Sequence, residues 1–398
     1  MKPPPEPTSP DDIESIFVIS DLHTDHRDNL EWITSYCKGN AEPDDLPGPN
    51  DALIIVGDVS HKLSHIRQTL LIVKQNLNCR IFFIWGNHEA WVTKEDKEMD
   101  ISLSTAKIQK IKRLCKSMDI YTDYKLLGKN HASPCFVIPM DSWYDSTLSF
   151  PGCEDLCTDL DQWPWMDFFV CKWPDREKLE SMCKKKDPSV KIGTRDVGNV
   201  HLIPIGLTEW FRLQNEDSIT KMKDEYQRWT NDERNRDKTN PGLISASHFL
   251  PNHQTLPDWK DPTTKVFPRH EWLNVPWAPT STKFAKVSGS ILIDEQIRDM
   301  NKDVQTILPE GSDPVTHLHL FGHSHQSKDF VFSGIRYIHN PLGAPKERWY
   351  HEDKRMKKIW DCRKEAKSDK DTSGSYTVSY TGGIGEIPGR RIPSGSAW

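Results

Sequence analysis

The chain has 398 residues, of which 36% are hydrophobic and 28% charged, with a net charge of −6 at pH 7. This mildly acidic balance argues against a dedicated nucleic-acid-binding protein, although a local basic patch stays open. With no run of about 20 apolar residues, no apolar leader and nine cysteines interpreted as reduced thiols, we expect a cytoplasmic protein without a membrane span.

Strand-like and helical stretches alternate through the first 145 residues, after a Pro-rich lead at 1–13 that we expect to be disordered. The second helix shows the pattern well, because Leu63, Ile66, Leu70 and Val73 form one apolar stripe. Alternation of this kind favours an α/β fold with a mostly parallel sheet. Strands are predicted at 15–20, 52–56, 80–84 and 135–139, and helices near 28–38, 62–77 and 104–118.

The alternation breaks between about 145 and 240, a Trp-rich region that includes the basic run Lys184-Lys185-Lys186 and a predicted helix at roughly 208–230. We interpret it as an insertion that either covers the site or pads the surface, and both readings stay open. The pattern then resumes, so the domain is placed at 14–345 and residues 346–398 are expected to be an extension, largely a disordered tail. Strands are predicted at 243–246, 316–321, 329–332 and 335–338, with a short helix near 290–300.

Candidate metal ligands follow most of these strands directly. Each motif alone is weak evidence, although Gly-Asn-His-Glu and Gly-His-Ser-His are rarer than Gly-Asp. Their order along the chain is informative, because ligands gather at the carboxyl ends of strands in α/β sheets. Their mixture of carboxylate, amide and imidazole groups suits hard or borderline metal ions. Their placement along one rim of the sheet predicts a dinuclear centre. The motifs are Asp21-Leu22-His23, Gly57-Asp58, Gly86-Asn87-His88-Glu89, Ser247-His248 and Gly322-His323-Ser324-His325, with Asp141 after the strand at 135–139.

This order of motifs resembles the calcineurin-like metallophosphoesterase superfamily. The resemblance implies a four-layer sandwich of two mixed β-sheets flanked by helices. It also implies two metal ions, manganese, iron or zinc, that share Asp58 as a bridging ligand, with His88 as the general acid tuned by Asp21 or Glu89. The implied ligands are Asp21, His23, Asp58 and His325 for the first metal, and Asp58, Asn87, His248 and His323 for the second.

The implied activity is metal-dependent hydrolysis of a small or medium phosphoester by a hydroxide that bridges the two metals. Monoester and diester substrates both stay open, and the sequence does not indicate an oligomeric state. Lys62-Leu63 and Trp85 stand where Ser/Thr protein phosphatases carry arginine motifs, so the resemblance is not to that branch. Two alternatives stay open: a non-catalytic metal-binding scaffold, and a nuclease that would use the basic cluster Lys184, Lys185, Lys186, Lys191 and Arg195.

Several other residues are alternatives to these ligands or candidates for contacts around the site. In an extended chain the side chains of His323 and His325 would point the same way, so both could reach the metals. His317 and His319 are an alternative pair of ligands, but we interpret them as half-buried histidines of the strand. His253 is a weaker alternative to His248. Trp85 could form an apolar surface beside the leaving group, or it could pack beneath its own loop. Outer partners of the site could include Asp25 and His26, and substrate contacts could include Lys62, Arg336, His339, Asn340, Lys346 and Arg348.

Overall fold

The strands form two mixed sheets in the computed structural model, which describes residues 12–39, 45–151, 165–190, 192, 204, 206–236, 238–257, 281–350 and 354–364. The first sheet has the order β10-β1-β2-β3. Its members β1, β2 and β3 run parallel, and β10 pairs antiparallel with β1. The strands are β1 Ser15–Ser20, β2 Asp51–Val56, β3 Arg80–Ile84 and β10 Lys357–Asp361.

The second sheet has six strands in the order β4-β5-β6-β7-β9-β8. Its four central strands run parallel, and both edge strands are antiparallel to their neighbours. Parallel strands joined through helices leave their carboxyl ends at one edge, where loops can meet. The strands are β4 Lys125–Leu127, β5 Cys135–Pro139, β6 Gly242–Ala246, β7 His317–Phe321, β8 Lys328–Phe332 and β9 Ile335–His339.

Helices cover the outer faces of the two sheets. One apolar cluster joins residues from the inner faces of both sheets, including Ile54 and Leu318, so the sheets pack face to face. The other cluster joins the opposite faces to the helices, through Ile55 and Ile66 for example. The helices are α1 Arg27–Cys37, α2 Leu63–Leu77, α3 Asn87–Ala90, α4 Lys94–Glu98, α5 Ser104–Ser117, α6 Met166–Val170, α7 Arg176–Lys186, α8 Leu207–Thr230, α9 Ser281–Ser288 and α10 Ile291–Ile307.

The α/β class and the two mixed sheets flanked by helices are therefore confirmed. Among the described residues, no helix is long and apolar enough to cross a membrane. The cysteines within the described ranges are free and buried, whereas Cys153 and Cys157 lie outside them.

The structure differs from the sequence analysis at two places. The basic run Lys184-Lys185-Lys186 forms the last turn of α7, whose N-cap Asp175 accepts a hydrogen bond from the backbone N–H of Lys178. Strand β10 lies beyond residue 345, where we placed the end of the domain, and it completes the first sheet. Its sequence Lys-Lys-Ile-Trp-Asp has too few apolar residues for a clear strand pattern. The expected lead at 1–13 and extension at 346–398 lie outside the described residues, except for 12–13, 346–350 and 354–364.

Candidate metal centre

The predicted ligands gather where five strands end. In the first sheet, Ser20 of β1 pairs with Val56 of β2, and Val56 pairs with Ile84 of β3, so the three carboxyl ends are level. In the second sheet, Ala246 of β6 pairs with Leu320 of β7. The loops that follow these strands carry Asp21, His23, Asp58, Asn87, His88, His248, His323 and His325.

The backbone in these loops is unusual, because five candidate ligands have a positive φ. The values are 53° for Asp21, 42° for His23, 52° for Asp58, 73° for His323 and 51° for His325. Asp and His enter this left-handed region more readily than most residues do, at a cost of about 1–3 kcal/mol each. The segment Gly322–His325 is therefore not an extended chain, and our argument from strand alternation was wrong for it. Tight turns, not alternation, aim His323 and His325.

A first group of four side chains can hold one metal ion. Asp21, His23, Asp58 and His325 each offer a ligand atom, and these atoms all lie within 4.8 Å of one another. His23 Nε2 is 2.8 Å from His325 Nε2, which in turn is 3.7 Å from Asp21 Oδ1. All four side chains are buried. Two imidazoles with adjacent Nε2 atoms beside two carboxylates are a donor set that suits a divalent metal.

A second group shares Asp58 with the first. Asp58, His248 and His323 offer ligand atoms within 4.8 Å of one another, and His248 Nε2 lies 3.3 Å from Asp58 Oδ2. Asn87 joins them, since its Oδ1 is 3.0 Å from His323 Nδ1. The Nε2 atoms of His248 and His323 are buried and have no hydrogen-bond partner in the described part of the chain. Buried polar atoms normally have a partner, so these atoms fit the role of metal ligands.

Three glycines make room for the ring of His248. A Cβ atom on Gly57 or Gly86 would collide with this ring, and one on Gly322 would lie 2.7 Å from its Nδ1 atom. Gly57 also has a φ of +77°, which side chains rarely adopt. The glycines of the motifs are thus explained by close packing around one candidate ligand.

Outer hydrogen bonds fix the candidate ligands. His248 Nδ1 donates to the carbonyl oxygen of Val56 at 3.0 Å, which leaves Nε2 for a metal. His325 Nδ1 donates to Glu347 at 2.8 Å, and His339 Nε2 donates to Asp21 at 2.9 Å. Outer partners of this kind orient metal-binding histidines and carboxylates.

Two of these partners were not recognised as such in the sequence. Glu347 is buried in a 3₁₀ turn at Pro345–Tyr350, just past the end that we assigned to the domain. His339, considered as a substrate contact, is buried and bonded to Asp21. A lone Glu in a loop and a His at a strand end carry no local sequence signal for such a role.

Glu89 organises the loop that carries Asp58. Its two carboxylate oxygens accept backbone N–H groups from Gly86 at 2.7 Å, Asp58 at 3.0 Å, Val59 at 2.8 Å and Ser60 at 3.2 Å. Glu89 was considered as a partner that tunes His88. The structure instead shows its carboxylate bonded to the backbone N–H groups of the shared Asp58 and of the two residues after it, so it holds the loop.

His88 stands at the edge of the centre with its side chain 21% exposed. Its Nε2 atom is 3.9 Å from Asp58 Oδ2, and its backbone N–H donates to Asp58 Oδ1 at 3.0 Å. The ring stacks on Trp91 with centroids 4.0 Å apart. A fixed, partly exposed imidazole beside the ligands is placed to give a proton to a leaving group.

The candidate outer partner Asp25 lies beside His88. A ligand atom of Asp25 lies within 4.8 Å of ligand atoms of His23 and His88, and its Oδ2 is 3.6 Å from His61 Nδ1. His26, by contrast, is exposed before α1. The structure therefore places Asp25 next to the site, as an outer partner would be, and His26 on the surface.

Part of the insertion covers the second group. Asp167 of α6 is buried and accepts hydrogen bonds from Asn87 Nδ2 at 3.0 Å, Trp91 Nε1 at 2.6 Å and Trp165 Nε1 at 2.9 Å. The Trp165 ring meets His323 edge-on, with centroids 5.9 Å apart. The described part of the insertion is therefore in direct contact with candidate ligands. Sequence reasoning missed Asp167 because it follows no strand.

The charges of the centre depend on one another. Burial alone would raise the pKa of Asp58, but His248 and His88 hold it well below the ordinary value. Burial alone would lower the pKa of His248, but Asp58 raises it to about 9. Burial and neighbouring histidines lower the pKa of His23 and of His323 to about 3. At pH 7 the centre therefore combines ionised carboxylates with neutral His23 and His323, whereas His248, with its raised pKa, must give up a proton before it can bind a metal.

Other candidates fall outside the two groups. Asp141 accepts from Trp85 Nε1 at 2.6 Å and from Lys112 Nζ at 2.5 Å, so it is engaged elsewhere. Trp85 is buried against Phe211, with centroids 5.0 Å apart, so it packs in the core. His253 lies in the 3₁₀ turn His253–Thr255, and His317 and His319 bond to Ser245 inside the sheet.

Two proposed substrate contacts and one member of the basic cluster bond to other groups. Arg336 pairs with Asp329 at 2.7 Å, and Asn340 donates to the carbonyl oxygen of Val18 at 2.9 Å. Lys186 pairs with Asp217. Lys191 and Arg195 lie outside the described residues.

One named protein, PptH, is similar to this chain both in sequence and in structure. The [Acyl-carrier-protein] phosphodiesterase PptH of Mycobacterium tuberculosis is 29% identical over 142 residues, which is 35% of this chain and 40% of that relative. The crystal structure of Phosphopantetheinyl Hydrolase (PptH) from Mycobacterium tuberculosis matches with a TM-score of 0.51 and 15% identity, covering 88% of this chain and 96% of the other. The alignment thus spans less than half of the curated relative's length, and the structural match supports the fold.

The family match extends over most of the chain. The model of the calcineurin-like phosphoesterase family matches residues 15–361, from the first residue of β1 to the last residue of β10. Both groups of candidate ligands lie within this range. The resemblance seen in the motifs is confirmed: the chain belongs to the calcineurin-like phosphoesterase family.

Proposed function

We propose that the chain hydrolyses a small or medium phosphodiester with the help of two metal ions. The first ion would be held by Asp21, His23, Asp58 and His325, and the second by Asp58, Asn87, His248 and His323. The choice of a diester is supported by the name of the partial relative, a phosphodiesterase. Since that relative is named for acyl carrier protein, a phosphopantetheinyl diester is the first candidate substrate.

The observation that carries this proposal is the position of Asp58. Its carboxylate belongs to both groups of candidate ligands, and Oδ2 faces His248 on one side and His23 on the other, at 3.3 Å and 4.0 Å. A shared carboxylate is what keeps two cations about 3.5–4 Å apart in two-metal sites. Two such ions, when bound, supply activated water and neutralise charge on the phosphoryl oxygens.

The protein groups around the ions would divide the remaining work. His88 would donate a proton to the leaving oxygen from Nε2, while its stacking on Trp91 keeps the ring in place. Glu89 would hold the Asp58 loop, and Asp167 would hold the amide of Asn87 with its oxygen toward His323.

The test combines metal analysis with a panel of substrates. Purified protein should contain two ions per chain, and it should hydrolyse a phosphopantetheinyl or nitrophenyl diester faster than the matched monoester or pyrophosphate. Asp58→Asn should lose both turnover and metal. Asp329→Asn, which changes a carboxylate that pairs with Arg336 and Lys357, is the matched control and should keep both.

Two results would count against the proposal. Full turnover by Asp58→Asn would mean that the site is misassigned. A preference for monoesters across all of the metals tested would reject the diester assignment while leaving the two-metal centre in place.

A further inference from the structure

A continuous chain of hydrogen bonds runs through the second sheet and ends beside His248. It starts at α10, crosses β7 and β6, and reaches the loop after β6. His317 Nε2 lies 2.9 Å from Ser245 Oγ, which lies 2.8 Å from His319 Nδ1. His319 Nε2 lies 3.1 Å from Ser247 Oγ. We name this chain the serine–histidine relay; its members are Asn301, His317, Ser245, His319, Ser247 and the carbonyl group of Phe249.

The relay is buried, so its polar atoms must satisfy one another. Ser245, Ser247 and His319 are fully buried, and His317 is 2% exposed. Burial lowers the pKa of His317 to about 3, and it lowers the pKa of His319 well below the ordinary value, helped by the nearby His317. Both imidazoles are therefore neutral at pH 7. A neutral imidazole has one N–H donor and one bare nitrogen acceptor, so the direction of each bond constrains the next.

The direction can be followed from the loop end. The hydroxyl of Ser247 donates to the carbonyl oxygen of Phe249 at 2.9 Å, so its oxygen must accept from His319 Nε2–H. The bare Nδ1 of His319 then accepts from the hydroxyl of Ser245. The Ser245 oxygen in turn accepts from His317 Nε2–H. Both histidines are therefore fixed as Nε2–H tautomers.

The surface end of the relay fixes the amide of Asn301. The bare Nδ1 of His317 needs a donor, and the Asn301 side chain lies 3.2 Å away. Amide oxygen and nitrogen are nearly indistinguishable by shape, so their assignment follows from the hydrogen bonds. The relay requires Asn301 to present its NH₂ group to His317. Its side-chain amide is therefore flipped relative to the orientation in which Oδ1 faces His317 Nδ1.

The opposite direction satisfies fewer groups. If His317 Nδ1–H donated to the Asn301 oxygen, each later bond would reverse, and the Ser247 hydroxyl would donate to His319. Phe249 would then lose the donor that bends the loop back at Ser247. The forward direction makes five bonds and the reverse makes four, counted from the same contacts. Since a buried carbonyl without a donor costs about 1–3 kcal/mol, the forward direction should dominate.

We propose that the serine–histidine relay is a positioning element for His248, held in one direction by two Nε2–H tautomers. The bond from Ser247 to Phe249 closes a turn around His248, the residue between them. The ring of His248 is tied at its other end to Val56 by Nδ1. The role of His248 as a ligand of the second metal rests on the proposed function. Fixing its backbone and its ring together would keep Nε2 aimed at that metal.

The tautomers can be measured in the metal-free protein. Long-range ¹H–¹⁵N correlation spectra of the ¹⁵N-histidine-labelled chain distinguish Nε2–H from Nδ1–H. We expect His317 and His319 both to be neutral Nε2–H tautomers at pH 7. Two Nδ1–H tautomers would reverse the relay and overturn the proposal.

The positioning role is tested by Ser247→Ala, which removes the last link of the relay. The matched control is Ser133→Ala, because Ser133 is also buried and donates to a backbone carbonyl, that of Lys364, at 2.6 Å, but at the amino end of β5. Mn²⁺ binding can be measured by the electron paramagnetic resonance signal of the free ion. Ser247→Ala should weaken the second Mn²⁺ site about 10- to 100-fold, as loss of outer partners does, whereas the control should stay within about twofold of wild type.

The outcomes separate the relay from the proposed function. Equal Mn²⁺ affinities in the two variants would overturn the positioning role. Nε2–H tautomers in a wild-type protein that binds a single Mn²⁺ ion would refute the two-metal function and, with it, the role of His248 as second-metal ligand. Nδ1–H tautomers in a protein that binds two ions would refute the relay alone.

Discussion

Glu89→Gln should destabilise the protein more than any comparable exposed change, because Glu89 accepts from four backbone N–H groups. The side chain is fully buried, and each of its oxygens receives two of the four bonds. Glutamine keeps the size but has one oxygen. Its NH₂ group would face two N–H donors and could accept from neither.

The magnitude follows from those two lost bonds. Hydrogen bonds to a charged group contribute about 1.5–3 kcal/mol each, so the loss should be about 3–6 kcal/mol. The variant also removes a buried negative charge next to Asp58, and this relief opposes the loss, which favours the lower half of the range. The raised pKa of Glu89, caused by burial and by Asp58, reflects the same repulsion.

Urea unfolding in the presence of EDTA measures this effect without a contribution from metal binding. Glu95→Gln is the matched control, since Glu95 is only half-buried and accepts one backbone N–H, that of Ser64 at 3.2 Å, in a solvent-exposed bond. We expect the control to change the free energy of unfolding by less than about 0.5 kcal/mol. A loss of less than about 1 kcal/mol for Glu89→Gln, below a single charged hydrogen bond, would refute the assignment of four bonds to its carboxylate.

Three further changes test other parts of the structure. His88→Ala should keep both metals but slow hydrolysis by about 10²- to 10⁴-fold for alkyl esters, and much less for nitrophenyl esters; equal slowing for both would argue against a proton donor. Asp167→Asn should weaken the second metal site about 10- to 100-fold, as read by chelator competition, because the amide of Asn87 loses its charged partner; unchanged affinity would show that the insertion does not support the site. His317→Gln should make the free energy of unfolding depend less on pH under acidic conditions. The folded pKa of His317, about 3, lies below its ordinary value of 6.5, so its stabilising contribution is complete above pH 6.5 and is lost as the pH falls from there toward 3. The slope of the free energy of unfolding against pH should fall by up to about 1.4 kcal/mol per pH unit. It is measured by urea unfolding at pH 7, 6 and 5. The same slope as wild type would contradict the burial of His317 as a neutral imidazole.

Much of the fold could be predicted because the strands are short apolar runs and the main helices have clear stripes. The strand at 80–84 and the helix at 62–77 are examples, and the structure places them at Arg80–Ile84 and Leu63–Leu77. Elements that depend on tertiary contact were missed. Strand β10 has three charged residues out of five and gains its place by pairing with β1, some 340 residues earlier in the chain.

The candidate ligands could be predicted because each follows a strand, and strand ends meet at one edge. Their partners could not, because Asp167 and Glu347 act on ligands from distant loops and follow no strand. The turn geometry was also beyond sequence reasoning. Nothing in Gly-His-Ser-His indicates that His323 and His325 both have a positive φ, since the surrounding hydrogen bonds impose it.

The most direct test of the centre is the number of metal ions that it binds. Calorimetric titration of the metal-free protein with Mn²⁺ should give two ions per chain for wild type. Asp58→Asn should lose the tight binding of both ions. Asp329→Asn should behave as wild type. A single ion per chain, or two ions retained by Asp58→Asn, would contradict a centre in which one carboxylate holds both metals.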